Sequence, residues 1–229
     1  MATADKNIER HPLEPFLPET GRVLLLGSFP PPQERWGMNF FYPNPQNDMW
    51  RIMGQVFFGD RLHFIKQGED CSNHREDRSN HRENRKKSRE QGRKDVFRHE
   101  AITAFCEEHG IAIFDTAQAV IRLQGNAADE HLEIIEPTDI AVLLQQLPLC
   151  HDICCTGGKA AETLAETLHT AVPKTGGYVE TLFAGRSIRF WRMPSSSRAY
   201  PLPLEKKAAA YQHLFAETGV LYDAMKPNR

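Results

Sequence analysis

No apolar run in this chain of 229 residues approaches the roughly 20 residues of a membrane-spanning helix. The first residues lack an apolar signal segment as well, so the expectation is a soluble, cytoplasmic protein with no membrane partner. A dominant charge is missing too. The formal net charge is −2, and any contact with a polyanion must therefore come from a local patch. Only five cysteines occur. None form a Cys-x-x-Cys pair, and the spacing of Cys150, Cys154 and Cys155 matches no metal-cluster pattern. Those three sit in or beside an apolar run and read as buried thiols in a reducing compartment. The ten histidines make no ligand cluster, and no Gly-x-Ser-x-Gly elbow is present to hold a serine nucleophile. No metal site is expected.

What is present is an alternation of short buried strands with helices. Arg22-Val23-Leu24-Leu25-Leu26 is an unbroken apolar run of the kind that forms a strand buried on both faces. Gly27 ends it, and Pro30 and Pro31 turn the backbone out of the sheet. The loop that follows is long and almost uncharged. It carries aromatics (Trp36, Phe40, Phe41, Tyr42) and carboxamides (Asn39, Asn44, Gln46, Asn47). In an open α/β sheet, the loop leaving a strand's carboxyl end is where ligands bind. Aromatic faces and amides suit a flat, uncharged, polar-edged ligand such as a nucleobase. Apolar residues at 49, 52, 53, 56 and 57 then keep a helical period, with Asp48 as the expected N-cap.

Upstream, residues 1–21 read as an extended, proline-spaced lead-in that packs through Leu13, Phe16 and Leu17. Downstream, composition changes abruptly between Lys66 and about His99. Ser72-Asn73-His74-Arg75-Glu76-Asp77-Arg78 recurs nearly unchanged as Ser79-Asn80-His81-Arg82-Glu83-Asn84-Arg85. A repeat with no apolar position has no seam to bury and cannot offset its own ordering entropy. It reads as a solvated surface insertion with a basic excess, able at most to attract phosphates non-specifically.

The globular pattern resumes with a helix over Ala101–Cys106, ending near Gly110. Ile111–Phe114 reads as a second strand, with Asp115 either capping Thr116, the preferred reading, or orienting a water. A helix over Thr138–Leu147, a strand over Asp152–Thr156 and a helix from Lys159 to Leu168 follow. Gly157, Gly158 and Lys159 sit where a strand end meets a helix start, a place that either binds an anion or only turns the chain. Arg186–Met193 is the fourth strand, and it runs into Pro194-Ser195-Ser196-Ser197-Arg198. Pro203–Phe215 is the last helix. The alternation predicts a three-layer α/β/α sandwich around a central, mostly parallel four-stranded sheet.

Three stretches in this order resemble the uracil-DNA glycosylase superfamily. They are Leu24-Leu25-Leu26-Gly27-Ser28-Phe29-Pro30, then Pro43-Asn44-Pro45-Gln46-Asn47-Asp48-Met49-Trp50, and Met193-Pro194-Ser195-Ser196-Ser197-Arg198. The mismatch-specific and hypoxanthine-DNA glycosylase branches are the most similar. The resemblance covers the chain outside 66–99 and implies one glycosylase-like domain over 1–229 that carries this segment as an insertion. It further implies a monomeric base-excision enzyme without cofactor, acting on DNA that contains a deaminated or mismatched base such as uracil or hypoxanthine. Asn47 matches the working amide of the hypoxanthine branch, and Tyr42 the aromatic that stacks on the extruded base. Asn44 stands where the family commonly has histidine. Ser28 and Phe29 would line the base site, although Phe29 replaces the polar residue that often positions water. Ser195, Ser196, Ser197 and Arg198 match the loop that grips the DNA backbone, joined there by Gly157, Gly158 and Lys159. The same fold with its chemistry lost, serving only to bind DNA, is the alternative that Phe29 would suit.

Overall fold

The computed structural model describes residues 8–66, 96–123 and 131–223. In chain order it contains β1 (Ile8–Arg10), β2 (Val23–Gly27), α1 (Met49–Phe58), α2 (His99–Glu108), β3 (Ile111–Asp115), β4 (Ala117–Arg122) and β5 (Leu132–Pro137). These are followed by α3 (Ile140–Gln146), β6 (Asp152–Thr156), α4 (Gly158–Leu168), β7 (Gly177–Phe183), β8 (Arg186–Met193), α5 (Leu204–Glu217) and the short α6 (Val220–Asp223).

The central sheet has the order β3-β2-β6-β8-β7. Its first four strands run parallel, and β7 returns antiparallel to β8. The four expected strands are therefore all there, in the α/β/α layering expected, and a fifth has been added at one edge. Every residue of β2, β3 and β6 is buried, because helices cover a parallel sheet on both faces. The other edge, β3, is shielded by the lead-in. Phe16 exchanges backbone hydrogen bonds with Ile113 at 3.0 and 2.9 Å, which occupies part of an open strand edge. Leu13, Phe16 and Leu17 pack against the main core, as the lead-in's pattern suggested.

A second, smaller sheet was not expected. β1, β4 and β5 form an antiparallel three-stranded layer in the order β1-β4-β5, beneath which Phe29, Ala117, Val120 and Leu132 make a satellite core. Cys106, Cys150, Cys154 and Cys155 are buried and unpaired. Burial raises their thiols, that of Cys150 to about 12. Among the described residues no helix is long and apolar enough to cross a membrane.

The insertion ends earlier than composition suggested. Phe97 is fully buried in the main core, so the globular chain resumes by Val96, and α2 begins at His99 rather than Ala101. The duplicated segment lies outside the described residues. Its two anchors lie side by side: the Lys66 N–H donates to the Val96 carbonyl at 2.9 Å, and the Arg98 N–H to the Phe64 carbonyl at 2.9 Å. A chain that leaves and re-enters at one point can be shortened at little entropic cost. Deleting residues 68–94 is expected to leave the melting temperature within a few degrees. A fall beyond about 10 °C, which for a domain of this size means several kcal/mol, would show that the segment packs on the fold.

Candidate active site

Because β2, β3, β6 and β8 are parallel, Gly27, Asp115, Thr156 and Met193 end at one edge of the sheet. In register, Gly27 pairs with Asp115 and Thr156 with Met193. The loops leaving β2 and β8 close over this edge and leave a cavity of about 940 Å³. Backbone pairing stitches the two loops together. The Asp48 N–H donates to the Ser196 carbonyl at 2.8 Å, the Arg198 N–H to the Gln46 carbonyl at 3.3 Å, and Asn47 bridges Ser197. About 150 residues of sequence separate partners that behave as one short ladder.

Of the aromatics in the β2 loop, Phe40 and Phe41 turn into the core. Phe41 also reaches the cavity wall, and Tyr42 lines the cavity beside Asn44 and Asn47. Its backbone is left-handed, with φ at 50°, a conformation that costs a non-glycine residue about 1 kcal/mol or more and clusters at functional sites. Its hydroxyl is 3.1 Å from Thr156 Oγ1, which is itself 3.4 Å from the Leu26 carbonyl. Thr156 donates to that carbonyl, so Tyr42 donates to Thr156. Burial first, and then the Asp115 charge, raise the phenol well above its usual range, so the ring stays neutral.

Asn47 is half committed. Its Oδ1 accepts the Met49 N–H at 2.9 Å, an interaction that fixes which end of the carboxamide is oxygen. The Nδ2 group makes no hydrogen bond among the described residues, yet it is not a sealed, unsatisfied atom; it faces the cavity as a donor. Asp48 is the N-cap residue expected, but in position only. Asp48 occupies the cap position of α1 without a capping hydrogen bond, because its carboxylate is taken elsewhere. Oδ1 meets Arg198 Nε at 2.8 Å, and Oδ2 lies 3.9 Å from Lys207 Nζ. Arg51 Nη1 approaches Oδ1 at 3.8 Å. The Lys207 side chain is 1% exposed and donates to the Ser197 carbonyl at 2.7 Å. Burial pushes its ammonium below the usual lysine range, with Asp48 opposing that shift. Three cations therefore surround one buried carboxylate directly behind the serine loop.

Ser195 Oγ accepts the Ser197 N–H, and Ser197 Oγ accepts the Ala199 N–H, each at 3.2 Å. Both hydroxyls keep their own O–H for an outside acceptor. Ser196 is buried. Gly158 and Lys159, in the first turn of α4, line the same cavity, where the helix's free N–H groups favour an anion. Gly157 is not among the lining residues; it packs beside Ser195 with φ at 124°, a backbone that glycine tolerates. Ser28 lines the cavity. Phe29 touches it from the margin, only 8% exposed, with its ring in the satellite core and His11 edge-on at 5.4 Å. Among the described residues no group of three or more His, Cys, Asp or Glu side chains is placed to hold a metal ion.

Sequence reasoning missed His11, and of its two readings of Asp115 the preferred one, a cap on Thr116, is corrected. The Asp115 side chain does not cap Thr116, whose N–H donates to the Gly27 carbonyl at 2.9 Å. Asp115 Oδ2 instead meets His11 Nε2 at 2.9 Å. His11 Nδ1 is 2.8 Å from the Leu13 carbonyl, so both ring nitrogens are held. No local signal could have joined residues 104 positions apart.

No family model matches this sequence, and no curated protein matches it. Among solved structures, one similar chain is the solution NMR structure of a "putative uracil DNA glycosylase" from Methanosarcina acetivorans. It is 20% identical, with a TM-score of 0.54, and the match covers 93% of this chain and 99% of the other. The two chains share a fold. At that identity the likeness reaches the mixed α/β architecture. Within this fold the loops after β2 and β8 meet at one sheet edge.

Proposed function

We propose that the chain is a monofunctional DNA glycosylase, acting as a monomer, that hydrolyses the N-glycosidic bond of a deaminated base extruded from DNA. Uracil and hypoxanthine are the candidate bases. The observation that carries this reading is the convergence on one cavity of an aromatic ring, a free amide donor and a serine loop backed by cations. A base within a duplex is out of reach, so such an enzyme must flip the nucleotide, at a cost of a few kcal/mol. Stacking on Tyr42 offsets part of that cost, about 1–3 kcal/mol per base in single-strand binders. The Asn47 Nδ2 donor suits a base carbonyl. Since its oxygen already serves Met49, the amide is better placed to read the base than to accept a hydrogen bond from water. Ser195, Ser197, Arg198 and the α4 N-terminus with Gly158 and Lys159 would grip the flanking phosphates, contacts that position without reading sequence.

Phe29 favours a second reading, a DNA-binding protein that kept the fold without the chemistry. Single-turnover assays on single- and double-stranded oligonucleotides bearing uracil or hypoxanthine separate the two. Release of either base supports the glycosylase. Salt-dependent DNA binding without release supports the binding protein, and neither result would leave both readings without ground.

A further inference from the structure

Resting on the glycosylase reading, we infer that Asp115 is the catalytic residue that activates the attacking water, with His11 as its positioning residue. Two carboxylates line the cavity among the described residues, Asp115 and Glu162. Glu162 is exposed on α4, whereas the Asp115 side chain is 10% exposed and stands at the carboxyl end of β3. His11 engages Oδ2 and is itself 1% exposed. Oδ1 has no hydrogen-bond partner among the described residues, and it is not one of the sealed, unsatisfied atoms; its lone pairs open to the cavity. A Cβ at Gly27 would collide with this oxygen, so the end of β2 is bare where the carboxylate projects. Tyr42 lies close enough for the Asp115 charge to act on its phenol.

The division of labour follows from donor and acceptor chemistry. Activating water needs an acceptor. Asn47 presents a donor, Tyr42 spends its proton on Thr156, and Phe29 offers neither. Asp115 is the lining carboxylate that is also buried, and a carboxylate is a far stronger base than a hydroxyl. In the step, the water oxygen bonds to the sugar C1′ as the C1′–N bond breaks and its electron pair leaves on the base. The water proton passes to Asp115 and then to solvent, and the base anion takes a proton from solvent. The His11 imidazole, held at both nitrogens, keeps Oδ2 occupied and turns Oδ1 toward the sugar.

The test uses the full-length chain and uracil- and hypoxanthine-containing oligonucleotides under single-turnover conditions. Asp115→Asn is isosteric and should lower the rate of base release by about 10²–10⁴-fold, with melting temperature and DNA affinity unchanged. Asp115→Gly should be equally slow, and added formate, a small carboxylate, should restore part of its rate. His11→Gln, which can still donate to Oδ2, should keep more activity than His11→Ala. Wild-type speed in Asp115→Asn would overturn the inference and leave the glycosylase reading intact. So would a folded, DNA-binding Asp115→Gly that formate does not rescue. A change in which base is released, at undiminished speed, would make Asp115 a base reader and also sink the inference. If the wild type releases no base, the glycosylase reading falls and takes this inference with it.

Discussion

Asn47→Ala is expected to slow single-turnover base release by about 10²–10³-fold, the usual loss when one donor aimed at developing negative charge is removed. As the C–N bond breaks, charge builds on the departing base, and an N–H fixed against a base oxygen strengthens in the transition state. The substitution also removes the bond to the Met49 N–H, worth about 1 kcal/mol of helix-start stability. Asn44→Ala is the control, because Asn44 Oδ1 likewise accepts a neighbouring N–H, that of Gln46 at 2.9 Å. Asn47→Asp sharpens the test by keeping the oxygen for Met49 while losing the donor, and it should be as slow as Asn47→Ala. DNA affinity should change little, since phosphate contacts belong to the serine loop. Full activity in Asn47→Ala together with loss in Asn44→Ala would move the assignment three residues back along the loop.

Asp48→Ala is expected to cost about 3–5 kcal/mol of folding stability, the range for removing one partner of a buried ion pair. The reason is what it leaves behind. Lys207, its side chain enclosed, would keep the Ser197 carbonyl and the face of the Tyr200 ring, with Arg198 pressing on it. Arg198→Ala should cost far less, because that side chain is 42% exposed and exposed pairs are worth about 0–1 kcal/mol. Lys207→Met should also be mild, since it removes the buried charge itself. Denaturant titration with a common slope would establish the order. If Asp48→Ala unfolds at the wild-type midpoint, the carboxylate does not hold the serine loop to α1 and α5.

The strands that proved legible are those whose chemistry is local. Val23–Leu26 and Ile153–Cys155 are continuous apolar runs because both sheet faces are covered, so composition alone marks them. β7 escaped because its residues alternate between exposed and half-buried. A strand paired on one side only, and wet on one face, carries little apolar signal. β4 and β5 escaped for a related reason: their shared core is a handful of side chains around Phe29, too few to set a pattern. Phe97 was hidden because Val96-Phe97 is a lone apolar pair between charged stretches. In the site, strand-end loops could be placed by rule, which located Tyr42, Asn47 and Ser195 in one cavity. Partnerships were another matter. Asp48 with Arg198 and Asp115 with His11 are products of tertiary placement, and neither residue's neighbours in sequence announce them.

The buried thiols give the molecule an internal reporter of opening. Cys154 and Cys155 lie in β6, the middle strand of the central sheet, with their thiols raised by burial. Cys106 belongs to α2 and Cys150 precedes β6. Alkylating agents attack thiolates, and these four are both protonated and out of reach while the sheet is intact. The order in which they become reactive therefore records which layer separates first, α2 from the edge or β6 from its neighbours. A protein of this build carries its own chemical clock for the breathing of its core, with no label to be engineered.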